Sequence, residues 1–446
     1  MSYVQNILSR VLKKIFFSGW LFWLISFFLY AITIQSLHST ESYQLAIAAN
    51  SLDTTHQHTS PLYMLLGRIF SLFAHGNTAY VAICVAFLSV IAGAFSVFFV
   101  FRSTLYSVQT FVNFPNSYSP KTQKTIHISV ASLAALSFLL SNIVWHSATQ
   151  IEIFSLLGCF FSAIIYYMLR WHAHKNTSFG LRYIYSIALL LGLAVSVHIL
   201  ALLLLPALIY FYVVSTRNCS IVQKIKTLII SLILLCCIWF LCSYGFFAAA
   251  AYSDMFFVNT LGFSLHTGMF VFVAFLIVLF SISLIYTYKK NFVRLHHCIV
   301  ILTLFCVGYS LFSVPLIRAH ADTPHNVGMQ KHAFAITAHH SKHAYSGSLL
   351  YGTHFNAQPQ GISFSKKTYD FDSLYTPYVL PEPTFHGALY TLFPRMWSTQ
   401  KNHIRTYKEL ADIQEEKNTT PLYIHGVNYT KPTFLQNARF FWKYQY

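Results

Sequence analysis

Between Met1 and Leu316 this chain carries only four carboxylates, Glu41, Asp53, Glu152 and Asp254, set among long uncharged apolar runs. No water-exposed surface can be built over such a length with so few acids. Across all 446 residues, 9% are charged and 56% hydrophobic, where a soluble chain is about 25% charged. Disordered, collagen-like and ordinary soluble enzyme classes are excluded, and the pattern is that of a chain crossing a membrane many times.

The formal net charge of +17 is not a nucleic-acid signal, and no nucleic-acid partner is expected. Basic residues before 317 gather in five groups of three: Arg10/Lys13/Lys14, Arg102/Lys121/Lys124, Arg170/Lys175/Arg182, Arg217/Lys224/Lys226 and Lys289/Lys290/Arg294. Such clusters beside apolar spans set orientation. Spans are predicted at Phe16–Ile34, Tyr80–Phe101, His127–Trp145, Ile151–Leu169, Leu228–Ala250, Met269–Tyr286 and Cys298–Leu316. The run Tyr183–Val214 would be roughly 48 Å long as one helix, too long for a core of about 30 Å. Breaking it near His198 into two passes puts all five basic groups on the cytoplasmic side.

The expected fold is therefore a polytopic α-helical membrane protein of about nine spans, residues 1–316. Its N-terminus is cytoplasmic, its first outer loop covers 35–79, and its tail, 317–446, lies outside. The tail reads as a mixed α/β extracytoplasmic domain, with strand-like runs at Ser348–Tyr351 and Tyr378–Leu380 and helical composition over Lys401–Glu416. The eight cysteines all precede the tail and lack CxxC spacing, so neither disulfides nor a cysteine zinc site is expected. Phe16–Ile34 is too long for a signal-peptide core and reads as a retained helix.

In this topology all four acids fall on the outer side, with His56, His58, His146 and His198. In the first outer loop, Leu45, Ala48, Ala49 and Leu52 share one helical face and suggest an interfacial helix. Glu41 stands at its start and Gln44 one turn later. Arg68 sits in a second apolar stretch opened by Pro61, where it either snorkels to headgroups or holds a lipid phosphate.

These loop residues resemble the domain-of-unknown-function 2723 family, relatives of the protein O-mannosyltransferases of the glycosyltransferase-C superfamily. The family's first loop reads D-C-G-E-F-I-A, then H-P-P-G-x-P-L, then L-G-R-x-F-S-L. Aligned without gaps, Glu41 takes the Asp position, Gln44 the Glu and His56 the His, while LGRIFSL (66–72) matches closely. WHSATQIEIFSL (145–156) is similar to W-F-S-A-x-E-x-E-V-Y-A-L, keeping Glu152 but carrying Gln150 for the first Glu. LGLAVSVHILALL (191–203) keeps the family's His as His198 and has Ala201 in place of Asn. Tail segments LLYGTHFNA (349–357), FPRMWSTQKNHIRTYKE (393–409) and PTFLQNARFFWKYQ (432–445) match as well.

The resemblance implies an enzyme that moves a sugar, mannose in the relatives, from a polyprenyl-phosphate carrier to Ser/Thr hydroxyls of exported protein. It implies Glu41 as catalytic base. Arg68, His56, Gln44, Glu152 and His198 are the candidate substrate-binding residues, with no metal and no cofactor beyond the lipid-linked donor. The setting is the inner membrane and its lipid. The departures at 41, 44 and 150, and an end at Tyr446 where the family continues, leave open an inactive or split-gene remnant completed by a downstream polypeptide. A small-solute transporter also stays open, as does metal uptake through His56/His58 and His339/His340/His343, although HxH in a loop is a weak signal.

Overall fold

The computed structural model describes residues 19–35, 40–53, 60–115, 118–177, 179–321, 331–337, 351–353, 361–384, 390–392, 401–412, 420–424, 427–431 and 433–445. Within these, Thr40, Glu41 and most strand residues are described through their backbone. Contacts divide the chain into two units: Met1–Phe257 with Phe263–Ile336, and Val258–Gly262 with Thr337–Tyr446.

The first unit is helical among its described residues. Its helices are α1 (Trp20–Ile32), α2 (Thr40–Ser51), α3 (Pro61–Ser71), α4 (Thr78–Phe111), α5 (Pro120–Leu139), α6 (Asn142–Thr149), α7 (Ile153–His174) and α8 (Gly180–Val195). There follow α9 (Leu205–Thr216), α10 (Ile221–Phe240), α11 (Phe246–Met255), α12 (Thr267–Lys289), α13 (Val293–Tyr309) and α14 (Ser313–Ala319). Starts follow local chemistry. The Asn77 side chain accepts from Ala79 N at the head of α4, and Ser220 with Gln223 closes a capping box on α10. Pro120 and Pro61 occupy first turns, where a missing N–H costs no helical bond.

Among the described residues six helical stretches are long and apolar enough to cross a bilayer, and the pair α5–α6, bent by 60°, makes a seventh if taken as one span. In an apolar window of 18 residues, Ile221–Thr260 and Thr267–Lys289 are each only 6% buried, whereas that of Thr78–Phe111 is 56% buried. Exposed apolar faces of that extent have to meet lipid rather than water, so this is a membrane protein. Tyr183–Val214 does break where the length arithmetic requires. Regular α-helix ends at Val195, and the chain resumes as a 3-10 stretch, Ile199–Leu204, running into α9.

The core is built around α4. One face, with Val81, Ala82, Val85 and Leu88, joins a cluster shared with α2, α3, α7 and α8. Another face, with Val90, Val97 and Phe101, joins a cluster holding Phe22 and Tyr30 of α1, Ala131 and Ala135 of α5, and Ala148 of α6. Helices α8 and α13 meet backbone to backbone. A Cβ at Gly192 would lie 2.2 Å from the Phe305 carbonyl oxygen, and one at Gly308 would lie 2.5 Å from Leu193 N. Small residues permit such approach in membranes, where dispersion contacts replace the missing hydrophobic drive.

In the second unit three antiparallel pairs are described: β1 (Tyr351–Thr353) with β4 (Tyr390–Leu392), β2 (Gly361–Phe371) with β3 (Tyr375–Thr384), and β5 (Thr420–Ile424) with β6 (Val427–Lys431). Helices α15 (Lys401–Ala411) and α16 (Phe434–Gln445) are joined by an Arg439–Asp412 ion pair at 3.0 Å. The Asn259 side chain donates to the Tyr375 carbonyl and accepts from Tyr375 N, fixing the start of β3. The expected run Tyr378–Leu380 lies within β3, while of Ser348–Tyr351 only Tyr351, the first residue of β1, is among the described residues. The helix expected over 401–416 is described to Ala411.

Candidate active site

Four interruptions of helix converge in the first unit: the start of α2, the residues between α6 and α7, the break after α8, and the start of α3. Their backbone groups lack helical partners and need others. Ser42 Oγ donates to the Ile151 carbonyl at 3.2 Å, and Gln35 N donates to the Thr149 carbonyl at 2.8 Å. Ser60 Oγ donates to the Val197 carbonyl at 2.7 Å, with Leu62 N approaching the Ser196 carbonyl at 3.5 Å. The two breaks are bridged by the ring contact of Phe154 with His198, 5.6 Å between centroids. Irregular backbone in a membrane protein is tolerated where protein buries it or it lines a cavity.

Glu41 and Glu152 are each one residue from the Ser42–Ile151 hydrogen bond, which joins two backbone segments far apart in sequence. Glu41 occupies the first turn of α2 and is described through its backbone. Glu152 is the half-buried N-cap residue of α7. Its backbone N donates to Ser89 Oγ and its carbonyl accepts from the same hydroxyl, both at 3.3 Å. Ser155 Oγ donates to the Ser89 carbonyl at 2.6 Å. The fully buried Tyr63 hydroxyl reaches Ser89 Oγ at 3.4 Å, completing a polar knot among α3, α4 and α7. Burial pushes the Tyr63 hydroxyl above its ordinary range, the Ser89 bond draws it back, and the nearby Glu152 carboxylate raises it again.

The remaining expected residues separate. Gln44 is exposed one turn into α2. His198 caps the 3-10 stretch, its Nδ1 accepting from Leu200 N at 3.2 Å. Gln150, where the family pattern has Glu, is buried, and its amide donates to His146 Nε2 at 3.0 Å. His56 lies outside the described residues. Arg68 of α3 meets the far end of α2 at Asn50, nine residues or about 13 Å along that helix from Glu41. There its Nη1 donates to the Asn50 carbonyl and approaches the Asn50 side chain and Ser71 Oγ, each at 3.4 Å. The α2 face expected at the lipid interface packs inward instead, with Leu45, Ala48 and Ala49 buried.

Two residues at that far end were not legible as candidates. Arg318 of α14 donates through Nε to the Leu52 carbonyl at 3.1 Å and through Nη2 to the Ser51 carbonyl at 3.0 Å, neutralising the carbonyl end of α2. Asp53, directly after, is fully buried, and neither carboxylate oxygen has a hydrogen-bond partner among the described residues. Leu52 between them takes φ 54°, a left-handed conformation unfavourable for a branched side chain. An orphaned buried acid beside strained backbone is a feature of functional sites. The only sequence signal for Asp53 was its rarity.

Among the described residues no group of three or more His, Cys, Asp and Glu stands in metal-binding proximity. What converges here is backbone at four helix ends, held by serine hydroxyls, with the Glu152 residue and the His198 ring at two of the breaks.

Residues 42–221 match the family described as protein O-mannosyl-transferase TMEM260 N-terminal domain, and residues 346–442 match a family of unknown function, DUF8416. The first match supports kinship with the O-mannosyltransferases and suggests activity of that kind. It contains Gln44, His56, Arg68, Glu152 and His198, and begins one residue after Glu41. No curated protein and no solved structure matches the chain.

Proposed function

We propose that the protein is a membrane glycosyltransferase that moves a sugar, mannose by kinship, from a polyprenyl-phosphate carrier to Ser/Thr hydroxyls of exported protein. The observation carrying this reading is the Ser42–Ile151 hydrogen bond, which sets Glu41 beside the Glu152 segment at the edge of the matched region. The Glu41 carboxylate takes the proton of the acceptor hydroxyl as its oxygen bonds to the anomeric carbon. The bond from that carbon to the carrier phosphate breaks, and the phosphate leaves with the electron pair. One displacement inverts the anomeric centre. Glu152, Gln44, His198 and His56 bind sugar or acceptor hydroxyls. Arg68, bonded to Asn50, acts by holding α2 in place.

This reading threads the chain nine times through the inner membrane, N-terminus in the cytoplasm and tail outside. The helix ends around Glu152 and His198 then open to the outer face, where a lipid-linked donor and an exported acceptor meet. The donor supplies all the group-transfer chemistry, so the reading calls for no metal.

The test is transfer of mannose from polyprenyl-phosphate mannose to a Ser/Thr peptide by the purified chain in detergent. Glu41→Gln is expected to abolish transfer with an unchanged unfolding midpoint. Full activity in that variant rejects Glu41 as base. The buried, neutral Gln150 in place of a family acid favours a second reading, an inactive remnant. Absence of transfer by the wild type, with restoration by a co-expressed downstream polypeptide, would select its split-gene form.

A further inference from the structure

Helices α4 and α7 run parallel and in register. Ser89 meets Glu152 and Ser155 at one end, and Arg102 meets Tyr166 thirteen residues further along α4. That separation is about 20 Å at about 1.5 Å per residue, most of the way across a core of about 30 Å. At this second end the two helices leave a cleft of about 110 Å³, a few water volumes, lined by Arg102, Leu105, Tyr106, Gln109, Tyr166 and Arg170.

Both arginines are half-buried and neither has a carboxylate partner among the described residues. Arg102 Nη2 donates to the Tyr166 hydroxyl at 3.3 Å, and its guanidinium lies over that ring, 5.8 Å from the centroid. Arg170 Nη2 donates to the Tyr183 hydroxyl at 3.5 Å and lies 5.9 Å from that ring's centroid. Aromatic faces and single hydroxyl bonds leave most of the ten guanidinium N–H groups unused. Two like charges held together in partly dry surroundings are costly without a counter-anion. The four described acids of this unit do not supply one. Glu41 and Glu152 belong to the other end of α4 and α7, Asp53 follows α2, and Asp254 caps the start of α12 by accepting from Gly268 N and Met269 N.

We propose that this cleft binds a phosphate group, and that its source is the headgroup of an anionic phospholipid. Two planar forks grip phosphate oxygens in bidentate fashion, the Tyr106 hydroxyl and Gln109 amide add donors, and Leu105 borders the apolar side. In the nine-pass threading the cleft faces the cytoplasm, where basic pockets between transmembrane helices select anionic headgroups. The proposal rests on the membrane reading and is independent of the transferase reading, because its measurement involves no sugar transfer.

The experiment is native mass spectrometry and thermal unfolding of the full chain from nanodiscs of phosphatidylcholine alone or with phosphatidylglycerol. Wild type is expected to retain phosphatidylglycerol and to unfold at higher temperature in its presence. Arg102→Gln/Arg170→Gln should bind it at least about tenfold more weakly, since each lost charge-assisted contact is worth ~1.5 kcal/mol or more. Arg102→Lys/Arg170→Lys, with charge kept and forks lost, should fall between, and serves if the Gln variant does not fold. Undiminished retention and shift in either double variant overturns the site. Inorganic phosphate in phosphatidylcholine discs is the second arm. Stabilisation by phosphate equal to that by phosphatidylglycerol overturns the lipid assignment, and weak or absent stabilisation supports it.

Discussion

Gly93 of α4 stands four residues beyond Ser89 and directly under α6. A Cβ there would lie 2.6 Å from Ala148 Cβ, 3.3 Å from Tyr30 Cε2 and 3.4 Å from Ser155 Oγ. Carbon atoms rest at about 3.5–4.0 Å, so Gly93→Ala has to push Ala148 away by about 1 Å. Tyr30 resists the alternative movement because it is fully buried and its hydroxyl donates to the Leu139 carbonyl. Overpacking of this kind costs about 1–3 kcal/mol. The displaced residue immediately precedes Thr149–Glu152, so the segment carrying Glu152 moves with it. A 1 Å misplacement can lower a rate by about 10²-fold. The assay is the unfolding midpoint and peptide mannosylation rate of Gly93→Ala in one detergent. Gly158→Ala is the control, its Cβ meeting only Ser96 Oγ at 3.7 Å. Ala148→Gly placed on Gly93→Ala should recover most of both losses. A Gly93→Ala protein as stable and active as wild type, or a double variant no better than the single, refutes the geometry.

Three further outcomes are expected. Arg318→Met removes two charge-assisted bonds from the carbonyl end of α2 and should lower stability by about 3 kcal/mol, read by denaturant unfolding in detergent. Asp53→Asn replaces a buried carboxylate without a hydrogen-bond partner by a neutral amide and should raise the unfolding midpoint, while a lowered midpoint would reveal that a partner holds the charge. His266, just ahead of α12, has its pKa lowered from 6.5 by burial first and then by His320, against an opposing pull from Asp254. A depressed folded value means the unfolded chain binds more protons, so stability is full above pH 6.5 and falls as pH drops through the folded value. His266→Gln should flatten that acid slope in unfolding midpoints between pH 7 and 5.

The helices were legible because apolar length and the basic groups are local properties of the chain. The interruption near His198 followed from length together with the basic groups, which a single pass through Tyr183–Val214 would scatter over both sides. The contacts that build the site were not legible. Ser42 with Ile151 and Arg318 with Leu52 are separated by 109 and 266 residues, and no spacing rule reaches across such distances. The Asn50 partner of Arg68 was not legible either. A guanidinium in an apolar loop suggests phosphate, and the carbonyl end of a short helix, with its partial negative charge, is a second partner that residue type does not reveal. The face of α2 misled for a similar reason, because Leu45, Ala48 and Ala49 fit a neighbouring helix as well as they fit lipid.

Scarcity of acid has two consequences at opposite ends of the same helix pair. Where α4 and α7 begin their contact, Glu152 is one of the few carboxylates among the described residues of the first unit, and serine hydroxyls and a tyrosine gather on its segment. About 20 Å along, the same scarcity leaves Arg102 and Arg170 facing tyrosines, with no acid among the described residues to answer them. A soluble protein would fill both deficits from its own surface. A membrane protein this poor in acids can fill the first with a substrate and the second with the bilayer. If so, varying phosphatidylglycerol should alter stability through Arg102 and Arg170 while Glu41→Gln leaves that dependence untouched. Lipid dependence that vanished in Glu41→Gln would mean that the two ends are one site, and the separation argued from α4 and α7 would fail.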